Sequence, residues 1–298
     1  MTQRVNRAIE LLDAGQAIYY TGAHSGHTLS YAQGLEDAKT WADYINIGME
    51  HGAFDMAGLA EYMRGLRAAG PTRSGHRTPA VIVEAPVNGV DEASVRVNAW
   101  QFRQILARGV HGIVLCQAER ADAVQAFVAS CRFSHHKMPP GVPTLPTLPT
   151  GTRGRGSEAT AAPIWGLDFE DYIRRADPWP LDPAGELLLG VKIESPHAVS
   201  QCEEILRIPG LGFAELGPGD LSLSLGYLAM PREPYPPEMQ QARARVFAAA
   251  RANNLAFLEA CTPENITARL DEGVRVIAGG SEETARIGRL HQGRHMPV

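Results

Sequence analysis

The chain has 298 residues, of which 44% are hydrophobic and 20% charged, an ordinary globular composition with room for one large α/β domain or two smaller ones. A formal net charge of −5 and a pI near 6.1 leave no electrostatic footprint for nucleic acid, and no apolar run approaches the ~18 residues that a membrane span requires. The N-terminal stretch MTQRVNRAIELLDAGQ reads as an amphipathic helix; its acids and the lack of a cleavage-type apolar core argue against a signal peptide. Cys116, Cys131, Cys202 and Cys261 show no CxxC spacing, so they are expected to be reduced packing residues of a cytoplasmic protein.

After that helix, short β-type runs alternate with helical patterns. The strands are expected at 17–23, 42–51, 79–86, 111–118, 187–194, 212–217, 255–260 and 275–280. Helical patterns lie between them, at 56–69, WQFRQILARG, 121–131, 197–207, 237–253 and 263–272. Alternation of this kind predicts a parallel sheet. Eight repeats fit a closed (β/α)8 TIM barrel, a single domain over 1–298, better than a doubly wound sheet. No GxGxxG follows the first strand, which counts against a dinucleotide fold.

Two segments break the rhythm. VNGVDEASVRV (87–97) reads as an extended loop after the third strand. Residues 134–186 read as a long inserted loop between strands four and five, and loops of that length are usually functional or disordered. Its Pro-rich part, 138–149, reads as a spacer. GTRGRG (151–156) brings Arg153 and Arg155 onto a flexible backbone, which suits an anionic ligand or a solvated basic loop. Both segments are expected to reshape the mouth of the barrel.

Barrel sites form at the carboxyl ends of the strands. In chain order those ends carry His24 and His27, Glu50-His51, Glu84, Gln117 and Glu119, Lys192 and Glu194, Asp220, Glu259, and the Gly279-Gly280-Ser281 turn. Glu194 and Asp220 close successive strands 26 positions apart; such a pair can hold a hard divalent cation or merely cap loops. His51 beside Glu50 is either a base and proton shuttle or an ordinary loop histidine. Lys192 is either a Schiff-base amine or an ion-pair partner for a neighbouring acid such as Glu84 or Glu194, and pairing fits a barrel interior better.

The segments GMEHGAFD (48–55), GTRGRG (151–156), VKIES (191–195) and GPGDLSLSLG (217–226) resemble the HpcH/HpaI aldolases, class II metal-dependent pyruvate aldolases of the phosphoenolpyruvate/pyruvate barrel superfamily. The resemblance runs from about residue 17 to 282. It implies that Glu194 and Asp220 bind Mg²⁺, Mn²⁺ or another divalent metal, which chelates a 2-oxo acid and stabilises its enolate. It further implies that the Gly217-Pro218-Gly219 turn holds the substrate carboxylate through the amides of Gly219 and Asp220, and that His51 with Glu50 shuttles the proton of the aldehyde oxygen. The expected partners are a small 2-oxo acid, an aldehyde, and further copies of the chain in a dimer, trimer or hexamer.

The sequence departs from the family pattern at three places. The family's third-strand arginine is replaced by Ile82 or Glu84, according to which proline of TPAVIVEAP is aligned. Glu84 thereby joins the expected substrate contacts, and Lys192, Arg96 or Arg153 is the expected substitute cation. Gly48 stands where an aspartate normally supports the histidine, and the chain after Ser281 is short for the helix exchange seen between relatives. The implied activity is a carbon–carbon lyase cleaving or forming 4-hydroxy-2-oxo acids. The alternatives are a decarboxylase, a C–C hydrolase or a biosynthetic bond-forming enzyme on the same site, or a barrel that binds without catalysing.

Overall fold

The computed structural model describes residues 4–135 and 149–294. The chain opens with α1 (Arg7–Asp13), β1 (Ile18–Ala23), α2 (Tyr31–Asp37), β2 (Tyr44–Gly48), α3 (Met56–Ala69), β3 (Ala80–Asn88), α4 (Glu92–Leu106), β4 (Gly112–Cys116) and α5 (Ala121–Cys131). It continues with α6 (Glu158–Trp165), α7 (Phe169–Arg175), β5 (Pro178–Trp179), β6 (Leu187–Ile193), α8 (Pro196–Ile205), β7 (Phe213–Leu216) and α9 (Pro218–Ser224). It ends with α10 (Pro237–Ala252), β8 (Ala256–Ala260), α11 (Ile266–Glu272), β9 (Val276–Ala278) and α12 (Glu282–His291).

Eight parallel strands close into a barrel in the order β1-β2-β3-β4-β6-β7-β8-β9, with β9 beside β1 and β4 beside β6. Each overlaps one of the eight expected strands, and the (β/α)8 expectation holds. The two-residue β5 was not foreseen; it lies outside the ring, with Trp179 opposite Leu188.

Alternation along each strand sorts the side chains. Tyr20, Tyr44, Ile82, Leu188, Phe213 and Leu258 fill the inside of the barrel, and their neighbours, among them Tyr19, Ile45, Val81 and Leu189, face the helices. Gly190 makes room for the Phe213 ring, since a Cβ there would lie 2.3 Å from its Cζ. Ala8, Ile9 and Leu11 of α1 belong to the interior cluster, so α1 stoppers the amino-terminal end. Its buried N-cap, Asn6, accepts from Ala8 N and donates to the carbonyls of His111 and Glu186. One step further up the same inward phase come Asn46, Glu84, Lys192 and Glu215, all buried. The barrel is thus apolar below and charged beneath its carboxyl-terminal mouth.

Both irregular segments need correction. Residues 87–97 are not an inserted loop. β3 runs on to Asn88 through a register shift after Glu84, and Asp91 then caps α4 by accepting from Ser94 N at 2.6 Å. Residues 92–97 are therefore the first turns of α4.

The described part of the 134–186 excursion, residues 134–135 and 149–186, lies at the base and not at the mouth. It connects the end of a helix to the start of a strand, and in a βα barrel that junction lies at the amino-terminal end. It carries α6, α7 and β5, and packs on the base: Trp165 Nε1 donates to Gly109 O and stacks on His111, and Thr160 Oγ1 donates to Ala107 O. The Pro-rich stretch falls, apart from Pro149, outside the described residues, as do His136 and His295.

The last helix, α12, packs on its own barrel. Gly288 lies against Tyr19, where a Cβ would be 2.1 Å from the hydroxyl, and Arg289 and Arg294 both pair with the buried Asp43. No helix among the described residues is long and apolar enough to cross a membrane.

Candidate active site at the barrel mouth

Lys192 stands at the centre of the polar layer. Its Nζ is 3.0 Å from Glu50 Oε2 and 3.2 Å from Glu84 Oε2, and all three side chains are nearly inaccessible. Burial opposes the ammonium's charge, but Cys116, Glu215, Glu84 and Glu194 around it raise its pKa overall. It is therefore held as a cation, which suits ion pairing and not a Schiff-base nucleophile.

Glu84 is shared further. Its Oε1 accepts from Asn46 Nδ2 at 2.9 Å and lies 2.6 Å from His24 Nδ1, while His24 Nε2 is 3.2 Å from the Tyr20 hydroxyl. Burial would raise the Glu84 pKa; the hydrogen bond from His24, the charge of Lys192 and Asn46 outweigh it and hold the carboxyl at about 2. The same hydrogen bond raises the His24 pKa, against its partial burial. On the other side of Lys192, directly across the strand pairing, burial and the charge of Glu84 push Glu215 up to about 7.

Glu194 lies one turn of the pleat above Lys192. Its Oε2 accepts from Gln117 N at 2.8 Å, and the Gln117 side-chain amide is 3.5 Å from Asp220 Oδ2. Gln117 adopts φ 47°, a left-handed conformation uncommon outside glycine, which places it between the two carboxylates. Gly217 is demanded by the same arrangement, because a Cβ would lie 2.2 Å from Glu194 Oε1. Above Gly219 the space is open. Ser195 caps α8, accepting from Ala198 N and donating to Glu119.

A divalent cation fits these donors. Glu50, His51 and Asp220 each present a ligand atom within 4.8 Å of the others, and Glu50 Oε1 is buried without a hydrogen-bond partner among the described residues. Burial, with Glu215 and Glu50 nearby, pushes the Glu194 carboxyl up to about 8 despite Lys192, so an added positive charge would relieve it. Carboxylate oxygens with one imidazole suit Mg²⁺ or Mn²⁺ better than a thiolate site would. All four cysteines are buried, and none is disulfide-bonded.

A cavity of about 620 Å³ opens over Lys192, Glu194 and Asp220. His24 and His51 line it, and Met230, Tyr235, Met239 and Phe257 give it a largely apolar wall. Arg243 also lines that wall, but Glu259 and Glu272 pair with it at 2.5 and 2.7 Å.

The structure thus brings together Glu50, His51, Lys192, Glu194, Asp220 and the 217–219 turn. Glu84, expected to touch substrate, instead lies 2% exposed beneath the cavity, occupied by Asn46, His24 and Lys192. Arg153, expected at the mouth, is at the other end of the barrel, buried against Phe133 and Tyr172. Arg96 is exposed on α4 and paired with Glu92. Lys192 is the remaining candidate for the missing third-strand cation. Tyr20, Asn46 and Glu215 were not anticipated; the period-two phase that picked out Lys192 and Glu194 would have found Glu215, two residues beyond the inward Phe213.

Comparison with known proteins bears on the family and the fold. The family model for HpcH/HpaI aldolase/citrate lyase matches residues 79–287. The hydroxypyruvate/pyruvate aldolase of Delftia acidovorans is 30% identical over 180 residues, 60% of this chain and 58% of that protein. The protein of the same description from Paraburkholderia phytofirmans is 26% identical over 237 residues, 79% of this chain and 77% of its own. An HpcH/HpaI aldolase/citrate lyase family protein from Burkholderia cenocepacia shares the fold with a TM-score of 0.68, at 23% identity over 96% of both chains.

Proposed function

Because the chain belongs to the HpcH/HpaI aldolase/citrate lyase family, a family of carbon–carbon lyases, we propose that it is a divalent-metal-dependent aldolase that cleaves or forms 4-hydroxy-2-oxo acids. The observation that carries this reading is the convergence of Glu50, His51 and Asp220 beside Glu194, over the Lys192 ion pairs and under an open cavity. Glu194 and Asp220, with Glu50 and His51 next to them, would hold Mg²⁺ or Mn²⁺. When bound, that ion would supply Lewis acidity to the 2-oxo group.

The chain's own residues then have distinct tasks. The amides of Gly219 and Asp220, in the first turn of α9, have no partner within the helix and would receive the substrate carboxylate. His51, half exposed and 3.6 Å from Glu50 Oε2, takes the proton from the 4-hydroxyl as the C3–C4 bond breaks and the aldehyde forms. The electron pair passes toward the 2-oxo oxygen, and C3 is afterwards protonated. Lys192 provides fixed positive charge beneath that oxygen, replacing a third-strand arginine. The apolar wall faces the aldehyde portion and favours a substrate with an uncharged tail.

Chelator-stripped protein should bind Mn²⁺ and regain cleavage of 4-hydroxy-2-oxo acids, while Glu194→Gln and Asp220→Asn lose both. Turnover of oxaloacetate without any 4-hydroxy-2-oxo acid would replace the aldolase by a decarboxylase on the same site. Wild-type metal binding in both variants would refute the site. Assembly into a homo-oligomer is part of the proposal, checked by light scattering.

A further inference from the structure

At the base of the barrel, about as far from the mouth as the fold allows, lies a second cavity of about 580 Å³. Arg103 and Arg108 from the end of α4 line it, together with Arg153, Arg155, Ser157 and Thr160. Arg153 is 1% exposed. Its guanidinium lies 4.2 Å above the Phe133 ring, and its Nη2 donates to Ser157 Oγ and the Tyr172 hydroxyl at 2.9 and 2.6 Å. Its Nε and Nη1 have no hydrogen-bond partner among the described residues. A buried guanidinium whose remaining donors are unmatched is costly, and an anion offsets that cost.

The same cavity receives the amino-terminal end of α6. Ser157, the N-cap, makes no side-chain capping hydrogen bond, because its hydroxyl is turned to Arg153. Thr160 N and Ala161 N already donate to Ser157 O, so the helix contributes the positive end of its dipole to the cavity that Ser157 and Thr160 line. Gly154 and Gly156 leave open space, with nothing within 4 Å of an added Cβ at either. The opposing charge is Glu158, whose Oε2 accepts from Gly156 N. Arg108 is partly engaged, donating to Met56 O and Gln104.

We propose that this basal cavity binds a phosphoryl group, as inorganic phosphate or as part of a small phosphorylated metabolite. Arginine forks and a helix amino terminus match the several acceptor oxygens and double charge of a phosphate. The site is independent of the chemistry at the mouth, and its ligand would act as a stabiliser or effector, not as substrate.

The test is calorimetric titration of the full-length protein with sodium phosphate, with sodium chloride at matched ionic strength as control and thermal unfolding in parallel. Phosphate should bind and raise the unfolding midpoint, and chloride should do neither. Arg103→Ala/Arg155→Ala, a rim variant that leaves buried groups untouched, should weaken binding roughly tenfold or more; Arg153→Met should weaken it further if the variant folds. Asp220→Asn should bind phosphate as the wild type does, which separates this site from the mouth. Glycerol 3-phosphate run beside inorganic phosphate shows which source is preferred. Equal effects of phosphate and chloride, unchanged binding in the rim variant, or loss of binding in Asp220→Asn alone would each overturn the proposal.

Discussion

Replacing Lys192 by Met keeps the length and apolar stem of the side chain and removes one charge from the centre of the barrel. Glu50 and Glu84 then face each other's surroundings without the ammonium that now sits 3.0 and 3.2 Å away. Breaking a buried pair by removing one partner typically costs about 3–5 kcal/mol. The native Glu84 carboxyl sets a ceiling on its share. Despite burial, it is held at about 2 against a usual 4.5, by the hydrogen bond from His24 first and by Lys192 and Asn46 after it, so the whole difference of about 3 kcal/mol is more than Lys192 supplies through Glu84 alone. Because the folded pKa is depressed, that contribution is present above pH 4.5 and is lost as pH falls through 2. His24 and Asn46 still hold Glu84 in the variant, so the expected deficit at neutral pH is about 3 kcal/mol, or roughly 6–10 °C in the unfolding midpoint. The deficit should shrink between pH 4.5 and 2, where the unpaired acids of the variant take up protons while the wild type loses its own advantage. Thermal unfolding of both proteins across pH 2–8 reads this directly. A wild-type midpoint at neutral pH, or a deficit that does not change with pH, would refute the account of Lys192 as the counter-ion of two buried acids.

Other substitutions probe separate parts of the molecule. Gly217→Ala drives a methyl to within 2.2 Å of Glu194 Oε1; metal affinity should fall roughly tenfold or more while the fold survives, as read by calorimetry and circular dichroism. Gly190→Ala would bring a methyl 2.3 Å from the Phe213 ring, an overpacking that costs about 1–3 kcal/mol in denaturant titration. Asp43→Ala leaves Arg289 and Arg294 without the buried acid that both contact; a loss of about 3–5 kcal/mol is expected, with faster hydrogen exchange confined at first to α12 and β1.

The barrel strands were legible because each is a short apolar run bounded by turn residues, and buried parallel strands have that appearance. α4 was misplaced at its start because VNGVDE resembles a turn. The Asp91-x-x-Ser94 spacing there is in fact an N-cap, and Val95 and Ala99 face the core behind it. The described part of the 134–186 excursion was assigned to the wrong end of the molecule, although chain topology points to the base: it leads from the end of a helix to the start of the next strand.

At the site, Glu194, Asp220, Glu50 and His51 were visible as acids and an imidazole at strand ends. Asn46, Tyr20 and Glu215 were hidden inside apolar runs, where only the inward phase distinguishes them. Arg153 was misread for a different reason. A cation beside two glycines looks like a mobile surface group, whereas its burial depends on Phe133 and Tyr172, which no local pattern connects to it.

The central claim is that the carboxylates at the mouth, with a bound divalent ion, activate a 2-oxo acid at its third carbon. Exchange of pyruvate methyl protons for deuterium, followed by proton NMR in heavy water, tests it without any knowledge of the aldehyde. The account predicts exchange by the wild type with Mg²⁺ or Mn²⁺ and none by Asp220→Asn under the same conditions. Equal exchange by the two proteins, or no exchange by the wild type with either ion, would contradict it.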